Sequence, residues 1–165
     1  MAETLTVPVT NIGYNIWLSD FGTQPTKDNF LGDIKTADGL EYQANSFKYA
    51  PVNKGGYARS VPTLKEGQPA TFEIYMNDNY MLLHEKFHNN DVSSTDFYCS
   101  LGVIYPKNEV NQNVPNFYYY GYISKIKQSG GTEAEAQYFT FEFTPTSEPM
   151  AIVEGETGEE TNTEA

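Results

Sequence analysis

The sequence predicts a mainly β protein with one α-helix and one long loop. Two segments, 68–77 and 136–144, alternate between apolar and polar side chains at the period of a strand. The chain contains 13 Tyr and 10 Phe, two residue types that favour strands and interfaces. Because 165 residues are enough to bury a core, we expect one domain.

The other strands are predicted from apolar runs that end at turn residues. They cover 15–18, a short stretch near 30–34, 95–106 and 117–128. Alternation in the strand at 95–106 puts Cys99, Leu101 and Val103 on one face with Phe97. The core faces of the two alternating segments are formed by large apolar side chains: Phe72, Ile74, Met76, Phe139, Phe141 and Phe143.

The charge and cysteine content of the chain exclude several classes of function. Formal net charge is −12, from 22 acidic and 10 basic residues, so the clustered bases that grip nucleic-acid phosphates are missing. Such acidity suits a surface that faces DNA without holding it. We expect no targeting segment and no membrane span, because no stretch approaches about 20 apolar residues. The single Cys99 predicts no internal disulfide and a reducing compartment.

Residues 41–67 form the predicted long loop. Proline and glycine interrupt this segment repeatedly, yet it carries Phe47, Tyr49 and Tyr57, which disordered linkers avoid. Loops of this length in a small domain are usually functional. We therefore expect an arm that packs on another surface.

A helix is predicted over 79–89, capped by Asn77 or Asp78. Tyr80, Leu83 and Phe87 recur at helical spacing, which predicts one apolar face lying on a sheet.

The same helix contains His84, Glu85 and His88 in the H-E-x-x-H pattern of zinc hydrolases. Two His at i and i+4 can hold one zinc ion, with the Glu as base, but a catalytic zinc needs a third protein ligand. The chain has only two His. We therefore favour chance occurrence, with these residues and Lys86 on the solvent side, and expect no metal and no cofactor.

Composition changes after Pro149. Residues 153–165 hold five Glu and no base, a composition typical of a solvated segment. The predicted organisation is a β domain at 1–149, containing the arm at 41–67, and an acidic, flexible tail at 150–165.

The order of elements resembles that of bacteriophage tail tube (major tail) proteins over about residues 5–149. The segment FYYYGYISKIKQSGGTEAEAQYFTFEFTPTSEP, residues 117–149, is similar to the closing hairpin of that family. It runs as an aromatic strand through Gly121, Tyr122 and Ile123, a Ser-Gly-Gly turn, and an alternating strand that ends near Pro. ATFEIYMNDNYMLLHEKF resembles the family's strand and single helix.

This resemblance implies a β-sandwich or barrel with one flanking helix. Copies of the chain would form stacked hexameric rings, and their inner strands would join into a continuous inner β-barrel whose lumen conducts DNA during ejection. Each exposed edge strand would then be paired by the next copy. The arm would contact the next ring through aromatic and basic side chains: Phe47, Tyr49, Lys54, Tyr57 and Arg59.

Further expectations follow from the resemblance. Glu73 and Glu142 lie on the polar faces of alternating strands and are the candidate lumen-facing acids. The expected partners are the tape measure, tail terminator and distal tail proteins, with DNA passing through without specific binding and no membrane. The protein would be a structural, non-enzymatic part of the virion tail, assembled in the bacterial host cytoplasm.

Two alternatives stay open at the level of sequence. One is a zinc-dependent metallohydrolase that uses His84, Glu85 and His88. The other is a β-sandwich capsid decoration or receptor-binding module, whose aromatic side chains would form a ligand surface. The pattern also leaves contractile and non-contractile tails undistinguished.

Overall fold

The computed structural model describes residues 13–50, 55 and 58–153, whose regular elements are antiparallel strands, one α-helix and a short 3-10 helix at Lys27–Asn29. The predicted mainly β class is confirmed. In chain order the elements are β1 (Asn15–Asp20), β2 (Ile34–Ala37), β3 (Glu41–Tyr49), β4 (Arg59–Gln68), β5 (Ala70–Tyr75), α1 (Asn79–Phe87), β6 (Tyr98–Ile104), β7 (Phe117–Gln128), β8 (Tyr138–Pro145) and β9 (Met150–Ala151).

The strands form a large sheet and a separate hairpin. The large sheet has the order β1-β6-β7-β8-β5-β2, and the short β9 also pairs with β7. Strands β3 and β4 form a two-stranded sheet of their own. The sheets are not closed into a barrel, so the barrel form of the prediction does not describe the single protomer.

The core lies under the apolar faces of the alternating strands, as predicted. Phe72 and Ile74 on β5 and Phe139, Phe141 and Phe143 on β8 are all fully buried. Their registers explain this, because Phe72 lies opposite Phe141 and Ile74 lies opposite Phe139. Each buried side chain of this size contributes about 1.5–3 kcal/mol relative to an exposed one.

Helix α1 covers this core with the predicted face. Leu83 is fully buried, and Tyr80 packs edge-on against Phe139 with 5.4 Å between ring centroids. The side chain of Asn77, not that of Asp78, caps the helix: its Oδ1 accepts a 2.8 Å hydrogen bond from the backbone N–H of Asn79. The helix ends at Phe87, two residues earlier than predicted.

The prediction that Lys86 faces solvent is wrong. Only 9% of this residue is exposed. Its Nζ lies 3.7 Å from a carboxylate oxygen of Asp20 and donates a 3.5 Å hydrogen bond to the carbonyl of Tyr98. Lysine can bury its aliphatic stem while its ammonium finds partners at the rim, and here it ties α1 to the end of β1 and the start of β6.

Strand β6 departs from simple alternation because both of its faces are covered. Cys99, Leu101 and Val103 are buried as predicted, but Ser100 and Gly102 between them are buried too. Gly102 lies against Pro25 and Ile152, and the Ser100 hydroxyl donates to the carbonyl of Asp20. Both contacts are made by residues distant in sequence.

The folded region extends slightly past the predicted boundary at residue 149. Met150–Ala151 pairs with the start of β7, and Ile152 is 9% exposed. Residues 154–165, most of the predicted acidic tail, lie outside the described residues. Among the residues described, none of the helices has the length and apolar character needed to cross a membrane.

Candidate assembly surfaces

The edges of the large sheet are the first candidate for contact between copies. Strand β2 pairs with β5 on one side, and no other described strand pairs with it. Strand β1 pairs with β6, and its other side meets Phe30 in a single bridge at Trp17. An open cleft of about 570 Å³, lined by residues 13–15, 33–39 and 105, separates the start of β1 from β2.

The arm predicted at 41–67 is extended, and it is more regular than a loop. Its two halves are β3 and β4, which pair over their length with one irregularity between Ala44 and Ser46. Phe47 and Tyr49 lie two residues apart on β3, with ring centroids 6.1 Å apart, and are 53% and 43% exposed. Arg59 pairs with Tyr49 across the hairpin and is exposed. Lys54 and Tyr57 lie outside the described residues.

The charge of this arm is opposite to that of the chain. Residues 47–60 contain three of the ten Lys and Arg residues and none of the 22 acids. An aromatic and basic surface is typical of interface anchors. Its electrostatic complement would be an acidic surface, which a second copy of this chain provides in abundance.

The base of the hairpin is fixed to the large sheet. Tyr42 donates a 2.8 Å hydrogen bond to the carbonyl of Ser147 and stacks on Tyr119, with ring centroids 6.0 Å apart. Gly67 approaches Pro145 so closely that a Cβ at this position would lie 2.4 Å from the proline Cγ. Burial raises the pKa of Tyr42 above its ordinary value, so its phenol stays protonated as the hydrogen-bond donor. The hairpin therefore starts from a rigid base.

The candidate lumen acids share one polar face of the large sheet. Glu73 on β5 lies opposite Thr140 on β8, and Glu142 on β8 lies opposite Thr71 on β5. A shallow cleft of about 250 Å³ on this face is lined by both carboxylates and by hydroxyl and lysine side chains. The structure therefore brings the two acids together on one wall.

Sequence reasoning missed the lysines of the same face. Lys35 Nζ lies 3.6 Å from Glu73 Oε1 and 4.3 Å from the ring centre of Tyr138. Lys125 lies opposite Glu142, and Lys127 lies opposite Thr140. A bulge between Ile123 and Lys125 shifts the register of β7. Simple alternation through the bulge would put these lysines on the opposite face, which is why the pattern did not reveal them.

The imidazole rings of the helix lie side by side without a visible third ligand. The ring centroids of His84 and His88 are 4.3 Å apart, and Glu85 is exposed. In the described part of the chain, no cluster of three or more His, Cys, Asp or Glu side chains could hold a metal ion. Among the described residues, His84 and His88 thus have no third metal-binding side chain beside them.

Comparison with known proteins identifies the fold. No family model and no curated protein matches the sequence. The tube terminating cap of the anti-feeding prophage (AFP) superposes with a TM-score of 0.67 at 10% identity, covering 92% of this chain and 97% of that one. A tail of an empty GTA particle gives 0.61 at 10% identity, with 88% and 100% covered. The SPP1 tail tube gives 0.57 at 12% identity, with 94% and 86% covered. The chain thus has the fold of phage tail tube and tube terminator proteins, as the resemblance predicted.

Proposed function

We propose that this chain is the structural subunit of a phage tail tube, forming stacked hexameric rings whose lumen conducts DNA during ejection. The observation that carries the proposal is the outer edge of β2, which no described strand pairs with, in a sheet whose fold is shared with tail tube proteins. The protein acts by assembly and has no catalytic role. It belongs to the virion tail, is assembled in the bacterial host cytoplasm, and contacts other tail proteins such as the tape measure, terminator and distal tail proteins.

Ring closure satisfies the sheet edges. An exposed edge presents unpaired N–H and C=O groups that favour pairing with another strand. In a closed ring each copy offers β2 to an edge strand of its neighbour, so every copy has the same two contacts and no edge is left over. The inner strands then form a continuous barrel, although the sheets of one protomer are not closed.

Ring stacking is assigned to the β3–β4 arm. Phe47, Tyr49 and Arg59 are exposed on a hairpin that contacts its own domain at its base. Burying the two exposed aromatic side chains against the next ring of protomers would stabilise stacking by about 25 cal/mol per Å² of apolar surface removed from water. The basic charge of the arm favours an acidic neighbour. Lys54 and Tyr57 are proposed to act with them.

The face that carries Glu73 and Glu142 is assigned to the lumen wall. It is polar and solvent-accessible on the side opposite the phenylalanine core, as a surface in contact with water and passing DNA must be. The opposite face of the same strands is filled by the core and α1 and is not available to a lumen.

Negative-stain electron microscopy of protein without a tag tests the proposal. We expect six-fold rings and hollow tubes as protein concentration rises, and analytical ultracentrifugation should show the matching rise in mass. A species that stays monomeric at its highest soluble concentration would contradict the tube function. It would favour the decoration or receptor-binding alternative.

A second candidate function is a tube-terminating cap. Two neighbours with TM-scores of 0.67 and 0.64 are described as a tube terminating cap and a sheath/tube terminator. A terminator would form rings that stop at one or two layers, whereas a tube subunit polymerises into tubes of indefinite length. The same micrographs therefore distinguish the two functions.

A further inference from the structure

Two rows of side chains cross the outer face of β2, β5, β8 and β7. The first row runs Thr36, Glu73, Thr140, Lys127, and the second runs Thr71, Glu142, Lys125. Lys35 joins the first row through its contact with Glu73. Three lysines and two glutamates therefore share one wall, which carries a local formal charge of +1 in a chain of net charge −12.

Without its carboxylates this wall would suit a phosphate backbone. Lys125 and Lys127 are exposed, and neither makes an ion pair with a described residue. The hydroxyls of Thr71, Thr140 and Tyr138 line the same cleft. Lysine ammonium groups neutralise phosphates, and hydroxyl groups donate hydrogen bonds to phosphate oxygens.

The two carboxylates are held in place among these lysines. Glu73 Oε1 accepts a 2.6 Å hydrogen bond from the Thr36 hydroxyl in addition to its contact with Lys35. Glu142 Oε1 accepts a 2.9 Å hydrogen bond from the hydroxyl of Ser124, the residue at the bulge of β7. A carboxylate at a fixed position on the wall offsets the positive potential of the nearby lysines and repels a phosphate.

We propose that Glu73 and Glu142 mask Lys35, Lys125 and Lys127, so that this wall does not retain the phosphate backbone of duplex DNA. The lysines balance the carboxylates, and the carboxylates prevent the lysines from acting as a phosphate site. The inference rests on the proposed function only in naming DNA as the polyanion that passes. The masking itself is a property of one protomer and can be measured without assembly.

The test measures, by fluorescence anisotropy, the binding of a fluorescent 20-base-pair DNA duplex to the full chain at low salt. The double variant Glu73→Gln/Glu142→Gln removes both charges and keeps side-chain length and hydrogen-bond acceptors. We expect its affinity for the duplex to rise at least tenfold over that of the wild type. With the charge of three lysines no longer offset by the two carboxylates, log affinity should fall with log salt at a slope of about −2.7.

Matched variants separate local masking from overall charge. Asp78→Asn/Glu85→Gln removes two charges at α1, where neither side chain makes a hydrogen bond to a described residue, and should leave binding unchanged. Adding Lys125→Gln/Lys127→Gln to the first pair should abolish the gain. Glu142→Gln alone should give an intermediate gain in affinity for the duplex. This single variant serves as the test if circular dichroism shows that the double variant folds poorly.

The outcomes are decisive and independent of the tube function. The masking is overturned if the folded Glu73→Gln/Glu142→Gln variant binds the duplex no more tightly than the wild type. It is also overturned if the α1 control gains as much affinity for the duplex. Rings and tubes that form normally in that case leave the tube function intact. A gain without any ring formation supports the masking and contradicts the tube function.

Discussion

The hydroxyl group of Tyr42 donates a 2.8 Å hydrogen bond to the carbonyl oxygen of Ser147, which is 105 residues away. This bond joins the first strand of the arm to the segment that follows the last long strand of the sheet. The ring of Tyr42 also stacks on Tyr119 of β7. Tyr42 therefore helps to fix the base of the arm through two kinds of contact, together with the close approach of Gly67 to Pro145.

Replacing Tyr42 with Phe should loosen the arm with little effect on the domain. The ring stack remains, and one hydrogen bond worth about 1 kcal/mol is lost. We expect a decrease of about 1 kcal/mol in the free energy of unfolding, faster hydrogen exchange at amides of β3 and β4, and shorter tubes in micrographs. Tyr49→Phe, on the exposed part of β3, is the control for loss of a hydroxyl. Unchanged exchange in β3 would show that Ser147 does not hold the arm.

Removing the arm should separate folding from stacking. If residues 47–60 are replaced by a short Gly-Ser turn, β3 and β4 keep their base and the phenylalanine core is untouched, so the melting temperature should change little. We expect rings without tubes, because the proposed function assigns ring closure to the sheet edges and stacking to the arm.

A finer variant, Phe47→Ser/Tyr49→Ser, should have the same effect because it removes the two exposed rings of the arm. Val92→Ser, at a residue 60% exposed after α1, is the control for loss of an exposed apolar side chain. Tubes of normal length from the double variant would show that these two aromatic side chains do not mediate stacking.

Local sequence patterns predicted the core well and the arm poorly, for a physical reason. Phe139, Phe141 and Phe143 alternate with polar residues because one face of β8 is buried, and burial on one face is what produces alternation. Most of β3 and β4 is exposed on both faces, so no alternation marks them as strands. Their pairing depends on backbone hydrogen bonds, which leave little trace in side-chain composition.

Long-range contacts account for the other differences between prediction and structure. Lys86 is buried because Asp20 and Tyr98 happen to meet α1, and Gly102 is buried because Pro25 and Ile152 cover it. The lysines of the polar face were missed because a bulge in β7 changes which residues face outward. None of these features produces a periodic pattern of apolar and polar residues within a single segment of the sequence.

Gly121 should be one of the least replaceable residues of the sheet. A Cβ at this position would lie 2.3 Å from the carbonyl oxygen of Thr144 and 2.6 Å from the ring of Phe143. Gly121→Ala should therefore decrease the free energy of unfolding by about 2–3 kcal/mol, since the neighbouring strand must move. Gly130→Ala, beyond the end of β7 with nothing within 4 Å of its Cβ, should change stability by less than about 1 kcal/mol. Equal urea denaturation midpoints would contradict the close packing of β7 on β8.

Tyr14 should limit the stability of the protein at alkaline pH. Its hydroxyl is buried and has no hydrogen-bond partner among the described residues, and burial raises its pKa above the ordinary value. Burial also raises the pKa of the Cys99 thiol to about 12. Both groups keep their protons in the folded state and release them at lower pH when unfolded. Stability is therefore fully present below about pH 9 and is lost as pH rises.

Replacing Tyr14 with Phe removes a buried hydroxyl that has no hydrogen-bond partner among the described residues, so the free energy of unfolding at pH 7 should increase by about 1 kcal/mol. Above about pH 10, the loss of stability should become shallower by up to about 1.4 kcal/mol per pH unit, because one fewer proton is released on unfolding. Urea denaturation at pH 7 and at several values above 10 measures both effects. Tyr75→Phe, at a residue 39% exposed whose charge does not act on Tyr14, should show neither effect. A destabilised Tyr14→Phe protein would mean that the hydroxyl has a partner in the folded chain.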